Sequence, residues 1–130
     1  MKILLDTNAL LWVTYAPQRL TKKAADAYLA ADELYFSIVS PWEIALKLSR
    51  GGFDNLEVPK DWEKTLIEGL LQEGLRFLPL HVAHCRHVQD LPFHHKDPFD
   101  RMLIAQARVE NLAVIGSDDC FDDYRVTRIW

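Results

Sequence analysis

The sequence predicts an α/β protein, a three-layer α/β/α sandwich with a central parallel sheet of four to five strands, built as one domain over residues 1–130. Three observations carry that expectation. Ile3-Leu4-Leu5 is a short continuous apolar run, the pattern of a strand covered on both faces. Strand-like and helix-like segments alternate along the chain, and right-handed crossovers turn such an alternation into a parallel sheet. With 49% hydrophobic residues in 130, there is enough apolar material for one sizeable core.

The elements follow in order. The first strand, Lys2 to Leu5, stops at Asp6, and Thr7-Asn8 can cap a helix carrying Ala9, Leu10, Leu11, Trp12 and Val13. Ala16-Pro17-Gln18-Arg19-Leu20 is a break, after which Thr21 caps a helix through about Ala31. Leu34 to Val39 is rich in β-formers and reads as strand two. Ser40-Pro41-Trp42-Glu43 then opens a helix as a capping box, with Ser at N-cap, Pro at N1 and Glu at N3, and Gly51-Gly52 ends it. Lys60 to Gln72 reads as a helix, Leu75 to Leu80 as a strand closed by Pro79, and Val82 to Gln89 as a helix. Asp97-Pro98-Phe99-Asp100 opens the clearest helix of the chain, running to about Glu110. Leu112 to Ile115 is the fourth strand, and Tyr124 to Trp130 supplies a short edge strand.

Composition narrows the function. A net charge of −4 argues against a passive nucleic-acid coat, which would be basic, but not against an enzyme whose acids gather in one metal site. Two cysteines without CxxC spacing, Cys85 and Cys120, fit reduced thiols of a cytoplasmic protein. No apolar run reaches the roughly 18 residues of a membrane span. The interrupted N-terminal stretch lacks the cleavage site of a signal peptide.

Four acids share one structural address. Asp6 ends strand one, Glu43 lies in the first turn of the helix after strand two, Asp100 in the first turn of a later helix, and Asp118 follows strand four. In a parallel sheet the carboxyl ends of strands and the amino ends of the following helices form one rim, where such proteins bind ligands. Each acid also has a purely structural explanation. Asp6 can start a helix, Glu43 can complete the capping box, Asp100 suits a helix dipole, and Asp118 or Asp119 can cap a turn. Asp100, however, lies in line with Leu103, Ile104 and Ala107 on the buried stripe, where a charge needs a partner. Two carboxylates about 5 Å apart repel by roughly 3 kcal/mol at an effective dielectric near 20, so four together require protons or a cation. An all-oxygen ligand set suits Mg²⁺ or Mn²⁺, which can activate water for phosphodiester hydrolysis. No Cys–His cluster or HExxH motif offers a zinc site, and no GxGxxG or P-loop a nucleotide site.

Leu4-Leu5-Asp6-Thr7-Asn8, Ser40-Pro41-Trp42-Glu43-Ile44, Asp97-Pro98-Phe99-Asp100-Arg101-Met102-Leu103-Ile104-Ala105-Gln106-Ala107 and Gly116-Ser117-Asp118 together resemble the PIN-domain family, in particular its VapC-type ribonuclease toxins of bacterial toxin–antitoxin pairs. The resemblance spans essentially the whole chain. It implies a magnesium-dependent endoribonuclease, usually a homodimer, held inactive by a small antitoxin bound across the site. The three near-invariant acids of the family fall on Asp6, Glu43 and Asp100, and its more variable fourth on Asp118. The chain departs from the family at Gly116, where many members carry Thr, and Asp119 and Asp122 crowd nearby as rival fourth ligands.

Lys47, Arg50, Lys96 and Arg101 lie near the predicted rim, placed either to hold RNA phosphates or simply to be solvated. His94-His95 are RNA contacts or loop residues without a role, and His81, His84 and His87 read as core or surface filling. Two other readings remain open. One is a phosphotransfer protein with Asp6 as covalent nucleophile, although Asn8 stands where a dehalogenase-type site wants a second Asp. The other is a catalytically silent binding module whose acids serve a partner's basic tail.

Overall fold

The structure, a computed structural model, describes residues 1–130. Five strands, β1 (Lys2–Leu5), β2 (Glu33–Ser37), β3 (Arg76–Leu78), β4 (Ala113–Ile115) and β5 (Arg128–Ile129), form one sheet in the order β3-β2-β1-β4-β5. All pairings are parallel. The strands are joined by α1 (Thr7–Tyr15), α2 (Lys22–Ala30), α3 (Val39–Leu48), a π-helical turn (Glu63–Glu68) running into α4 (Gly69–Gln72), α5 (Val82–Gln89) and α6 (Pro98–Val109).

β1 is central because both its faces are apolar. Ile3 and Leu5 enter one core with Leu10, Leu11, Phe36, Leu66 and Leu70, while Leu4 enters the other with Leu103, Ile104, Val114 and Phe121. This is the three-layer α/β/α arrangement expected of the sequence. Leu5 pairs with Phe36 on one side and Ile115 on the other. Leu5, Phe36 and Ile115 therefore stand at one level, and Asp6, Ser37 and Gly116 come next after them in sequence on a common rim.

Several local expectations change, among them the strand expected over Leu75 to Leu80, which is confined to Arg76–Leu78. β2 ends at Ser37 rather than Val39, because the Ser37 hydroxyl accepts the Val39 N–H at 3.0 Å and Ile38 is already helical. α3 consequently begins two residues earlier, Ser40 lies inside it, and no capping box forms. The buried Ser40 hydroxyl instead meets that of Thr7 at 3.0 Å, tying the start of α3 to the start of α1. Asp6, not Thr7 or Asn8, caps α1 by accepting the Ala9 N–H at 2.7 Å. The edge strand shrinks to Arg128–Ile129, since Asp119–Tyr124 coils into a 3₁₀ turn that buries Phe121 and Tyr124. No helix is long and apolar enough to cross a membrane.

Candidate active site

Asp6, Glu43, Asp100 and Asp118 come together on the rim. The carboxyl of Asp6 is pushed up to about 7, by burial first and then by Asp100, Glu43 and Asp118, against the lowering effect of the Ala9 N–H. That of Asp100 is pushed up to about 6 by burial, Asp97, Glu43 and Asp118, while a hydrogen bond from His95 lowers it. Glu43 and Asp118 act on both raised carboxyls, so the four acids lie within electrostatic reach of one another, as their positions on a parallel sheet require.

Each is fixed by a local device. Asp6 leaves β1 beside β4, with its own N–H donating to Ile115 O at 3.0 Å. Its carboxylate lies against Gly116, where an added Cβ would stand 2.3 Å from Oδ2. Glu43 is 4% exposed, its Oε2 paired with Lys47 Nζ at 2.9 Å one turn along α3, while its buried Oε1 has no hydrogen-bond partner. Asp97 caps α6 by accepting the N–H groups of Phe99 at 2.8 Å and Asp100 at 3.1 Å, which sets the first turn that carries Asp100. At the far end of that helix the buried Gln106 accepts from Ser37 and donates to Pro79 O, locking α6 to the end of β2. Asp118 is exposed at the mouth of the site and caps the 3₁₀ turn through the Cys120 N–H at 2.9 Å.

The other two candidates for the fourth position are set apart. Asp122 is bound by the Arg128 guanidinium at 3.0 and 2.9 Å, which holds its carboxyl below the usual range. Asp119, like Asp118, is exposed, but only Asp118 among the two acts on Asp6 and Asp100.

Two of the basic residues placed near RNA phosphates are otherwise engaged. Lys47 is committed to Glu43 and to the face of Phe53. Arg101 is buried, its guanidinium donating to Pro92 O at 2.8 Å, Leu91 O at 3.1 Å, Val88 O at 3.3 Å and the Tyr124 hydroxyl at 3.2 Å, with the Phe93 ring 4.0 Å above it. It fastens the loop between α5 and α6. Arg50 and Lys96 are exposed. Arg101 follows Asp100 in α6, but one helical step turns its side chain away from the rim into the interior.

The sequence holds no Cys–His metal motif, yet one histidine and one cysteine far apart in the chain meet beside the acids. His95 Nε2 lies 3.0 Å from Asp100 Oδ2, and donor atoms of His95, Asp100, Asp118 and Cys120 all fall within 4.8 Å of one another. Burial, Asp100 and Asp118 hold the Cys120 thiol well above its ordinary pKa. His95 and Cys120 each stand close in sequence to a site acid, which was the available signal. Their approach across 25 residues depends on two loops whose path no motif encodes. His84 is fully buried between the His81 N–H and Glu110, a structural residue as expected.

The PIN-domain family model matches residues 3–126. The chain belongs to the PIN-domain family. No functionally curated protein matches it by sequence. Among solved structures, this PIN domain is similar to VapBC2 from Rickettsia felis, determined bound to a DNA fragment from its promoter, with TM-score 0.73, 13% identity and coverage of 98% of this chain and 97% of the other. It is similar also to DNA-bound VapBC from Salmonella typhimurium, with TM-score 0.70, 15% identity and coverage of 98% and 96%. A toxin–antitoxin complex from Klebsiella pneumoniae gives TM-score 0.58 at 15% identity, covering 90% and 87%. These likenesses establish a shared fold along nearly the whole PIN domain.

Proposed function

We propose that residues 1–130 act as a single-domain, Mg²⁺-dependent endoribonuclease, the toxin of a toxin–antitoxin pair, with Mn²⁺ as an alternative ion. The observation that carries this reading is the pairing of two facts on the rim. Asp6 and Asp100 are raised to about 7 and 6 by burial and by neighbouring acids, and the buried Glu43 Oε1 has no partner. A buried polar atom so placed suits coordination to a cation, and an all-carboxylate set suits a hard one.

Asp6, Glu43 and Asp100 would hold the ion, with Asp118 completing the set from the exposed side. A divalent ion bound there supplies a positive charge that activates water and stabilises the leaving oxygen of a phosphodiester. The protein's own contribution is to keep the carboxylates in place before substrate arrives: the Ala9 N–H orients Asp6, Lys47 holds Glu43, and His95 holds Asp100. Water displacing the 3′ oxygen leaves a 5′-phosphate and a 3′-hydroxyl, and the ribose 2′-OH takes no part.

The toxin assignment is supported by neighbours solved as VapBC and toxin–antitoxin complexes. A small antitoxin is the corresponding partner here, and an arginine from its tail would pair with the acidic rim in a bidentate fork. A homodimer in the cytoplasm is the accompanying state. The test is direct: Mg²⁺ should raise the melting temperature, by the equivalent of about 2.7 kcal/mol at 100 times its dissociation constant, and RNA should be cut only with divalent metal. Cleavage undiminished in chelator, leaving 2′,3′-cyclic phosphates, would overturn the mechanism. Metal-dependent stabilisation with intact RNA would instead leave a binding module.

A further inference from the structure

Overlapping the all-oxygen set is a second group of donors, which adds a nitrogen and a sulfur to two of its carboxylates. A ring nitrogen of His95, Cys120 Sγ and one oxygen each from Asp100 and Asp118 lie within 4.8 Å of one another, brought together from the segment leading into α6 with its first turn and from the 3₁₀ turn after β4. Mg²⁺ takes oxygen ligands, whereas imidazole, thiolate and carboxylate together are the ligand types of zinc. Ligands on a tetrahedral zinc ion stand about 3.5 Å apart, given bonds of about 2.0 to 2.3 Å. The donor atoms, within 4.8 Å of one another, are therefore about an ångström short of tetrahedral spacing.

The loops are held for that purpose from behind. The His95 N–H donates to the Tyr124 hydroxyl at 2.9 Å, and the same oxygen accepts from Arg101, so the backbone beneath the imidazole is anchored while the ring faces Asp100. Cys120 is buried in a 3₁₀ turn, and its own N–H donates to the Asp118 carboxylate, which ties that carboxylate to the residue carrying the thiol. Supports of this kind orient metal ligands.

We propose that His95, Cys120, Asp100 and Asp118 form a binding site for a soft divalent cation of the zinc class. The site shares Asp100 and Asp118 with the magnesium set, a consequence that rests on the nuclease reading above. Zinc bound there would draw both carboxylates out of the hard-ion site, so that the two ions exclude one another.

Cobalt(II) is the probe, because a cysteine thiolate ligand gives it a near-ultraviolet charge-transfer band. The full chain, titrated with Co²⁺, should develop that band and saturate at about one equivalent. The exposed Cys85 controls for stray thiol binding. Cys85→Ser should keep the band, Cys120→Ser should lose it, and His95→Ala should weaken cobalt affinity at least tenfold. A band that is absent, that survives Cys120→Ser, or that vanishes in Cys85→Ser overturns the site. If Cys120→Ser does not fold, unchanged cobalt affinity in His95→Ala overturns it equally. Millimolar Mg²⁺ should raise the cobalt concentration at half saturation. A Cys120-dependent band indifferent to Mg²⁺ leaves the soft site standing and counts against the shared carboxylates and the magnesium reading alone.

Discussion

Gly116 and Asp6 are fitted to each other: a Cβ on Gly116 would lie 2.3 Å from Asp6 Oδ2 and 2.8 Å from its Cγ. The carboxylate at the end of β1 thus occupies the space that a side chain on the neighbouring strand would take. Gly116→Ala must displace either that carboxylate or the end of β4. Overpacking of this kind costs about 1–3 kcal/mol, and the displaced carboxylate should also lose much of its response to Mg²⁺. Melting curves with and without Mg²⁺ give both effects. A variant with normal stability and a normal Mg²⁺ shift would mean that Asp6 does not depend on the glycine.

Asp97 and Asp100 stand three residues apart and should behave oppositely. Asp97 accepts two N–H groups at the start of α6, a task Asn performs nearly as well, so Asp97→Asn should keep stability, metal response and most cleavage. Asp97→Ala, which removes the cap, should lose about 1 kcal/mol. Asp100→Asn should keep or raise the metal-free melting temperature by removing a buried charge and its repulsion from Asp97, Glu43 and Asp118, while eliminating metal-dependent cleavage. Paired melts beside an RNA cleavage assay separate the two. An active Asp100→Asn with a dead Asp97→Asn would reverse the assignment.

What the sequence made legible here divides along physical lines. The apolar run Ile3-Leu4-Leu5 and the pair Asp97-Pro98 speak through local rules, burial on both strand faces and the geometry before proline, and both appear as read. The convergence of four acids was legible because parallel topology alone fixes which chain positions share a rim. Ser40-x-x-Glu43 misled because a capping box and a buried acid have the same spelling. Only the Ser37–Val39 contact, which starts the helix early, decides between them. Arg101, His95 and Cys120 were opaque because their roles lie in loop paths between elements, where spacing carries no geometry.

The two raised carboxyls set a pH dependence for the metal-free protein. Asp6 goes from an ordinary value of 3.8 to about 7 on folding, and Asp100 from 3.8 to about 6. The folded state therefore holds more protons than the unfolded one between those values, and stability falls as pH rises. Each contribution is fully present below about pH 4 and is lost as pH passes the folded value, about 6 for Asp100 and 7 for Asp6. For Asp6 the loss is about 4 kcal/mol at most. Denaturant melts in chelator should show Asp6→Asn gaining on the parent as pH climbs from 4 to 7, and saturating Mg²⁺ should narrow the gap. A difference independent of pH would show that Asp6 ionises normally in the folded chain.

Arg101 provides the sharpest separation between a structural and an RNA-binding role. Its guanidinium is 6% exposed, lacks a carboxylate partner, and satisfies the carbonyls of Val88, Leu91 and Pro92 together with the Tyr124 hydroxyl. Removing it leaves several of these acceptors unpaired, at about 1–3 kcal/mol each where they remain dry. Arg101→Ala should therefore lose about 3 kcal/mol or more, and Arg101→Lys should recover only part, because an ammonium cannot span the same acceptors as a planar fork. The Tyr124 hydroxyl joins Arg101 to the His95 N–H, so the damage should travel along the loop. Amide exchange at His95 should accelerate in Tyr124→Phe, which removes its acceptor, and also in Arg101→Ala, which frees the loop around it. A phosphate-binding arginine predicts the reverse pattern, with stability and exchange untouched and RNA affinity falling with a shallower salt dependence. Measuring melts, His95 exchange and RNA affinity on the same variants decides between the two, and an Arg101→Ala protein as stable as the parent would sink the loop-clamp assignment.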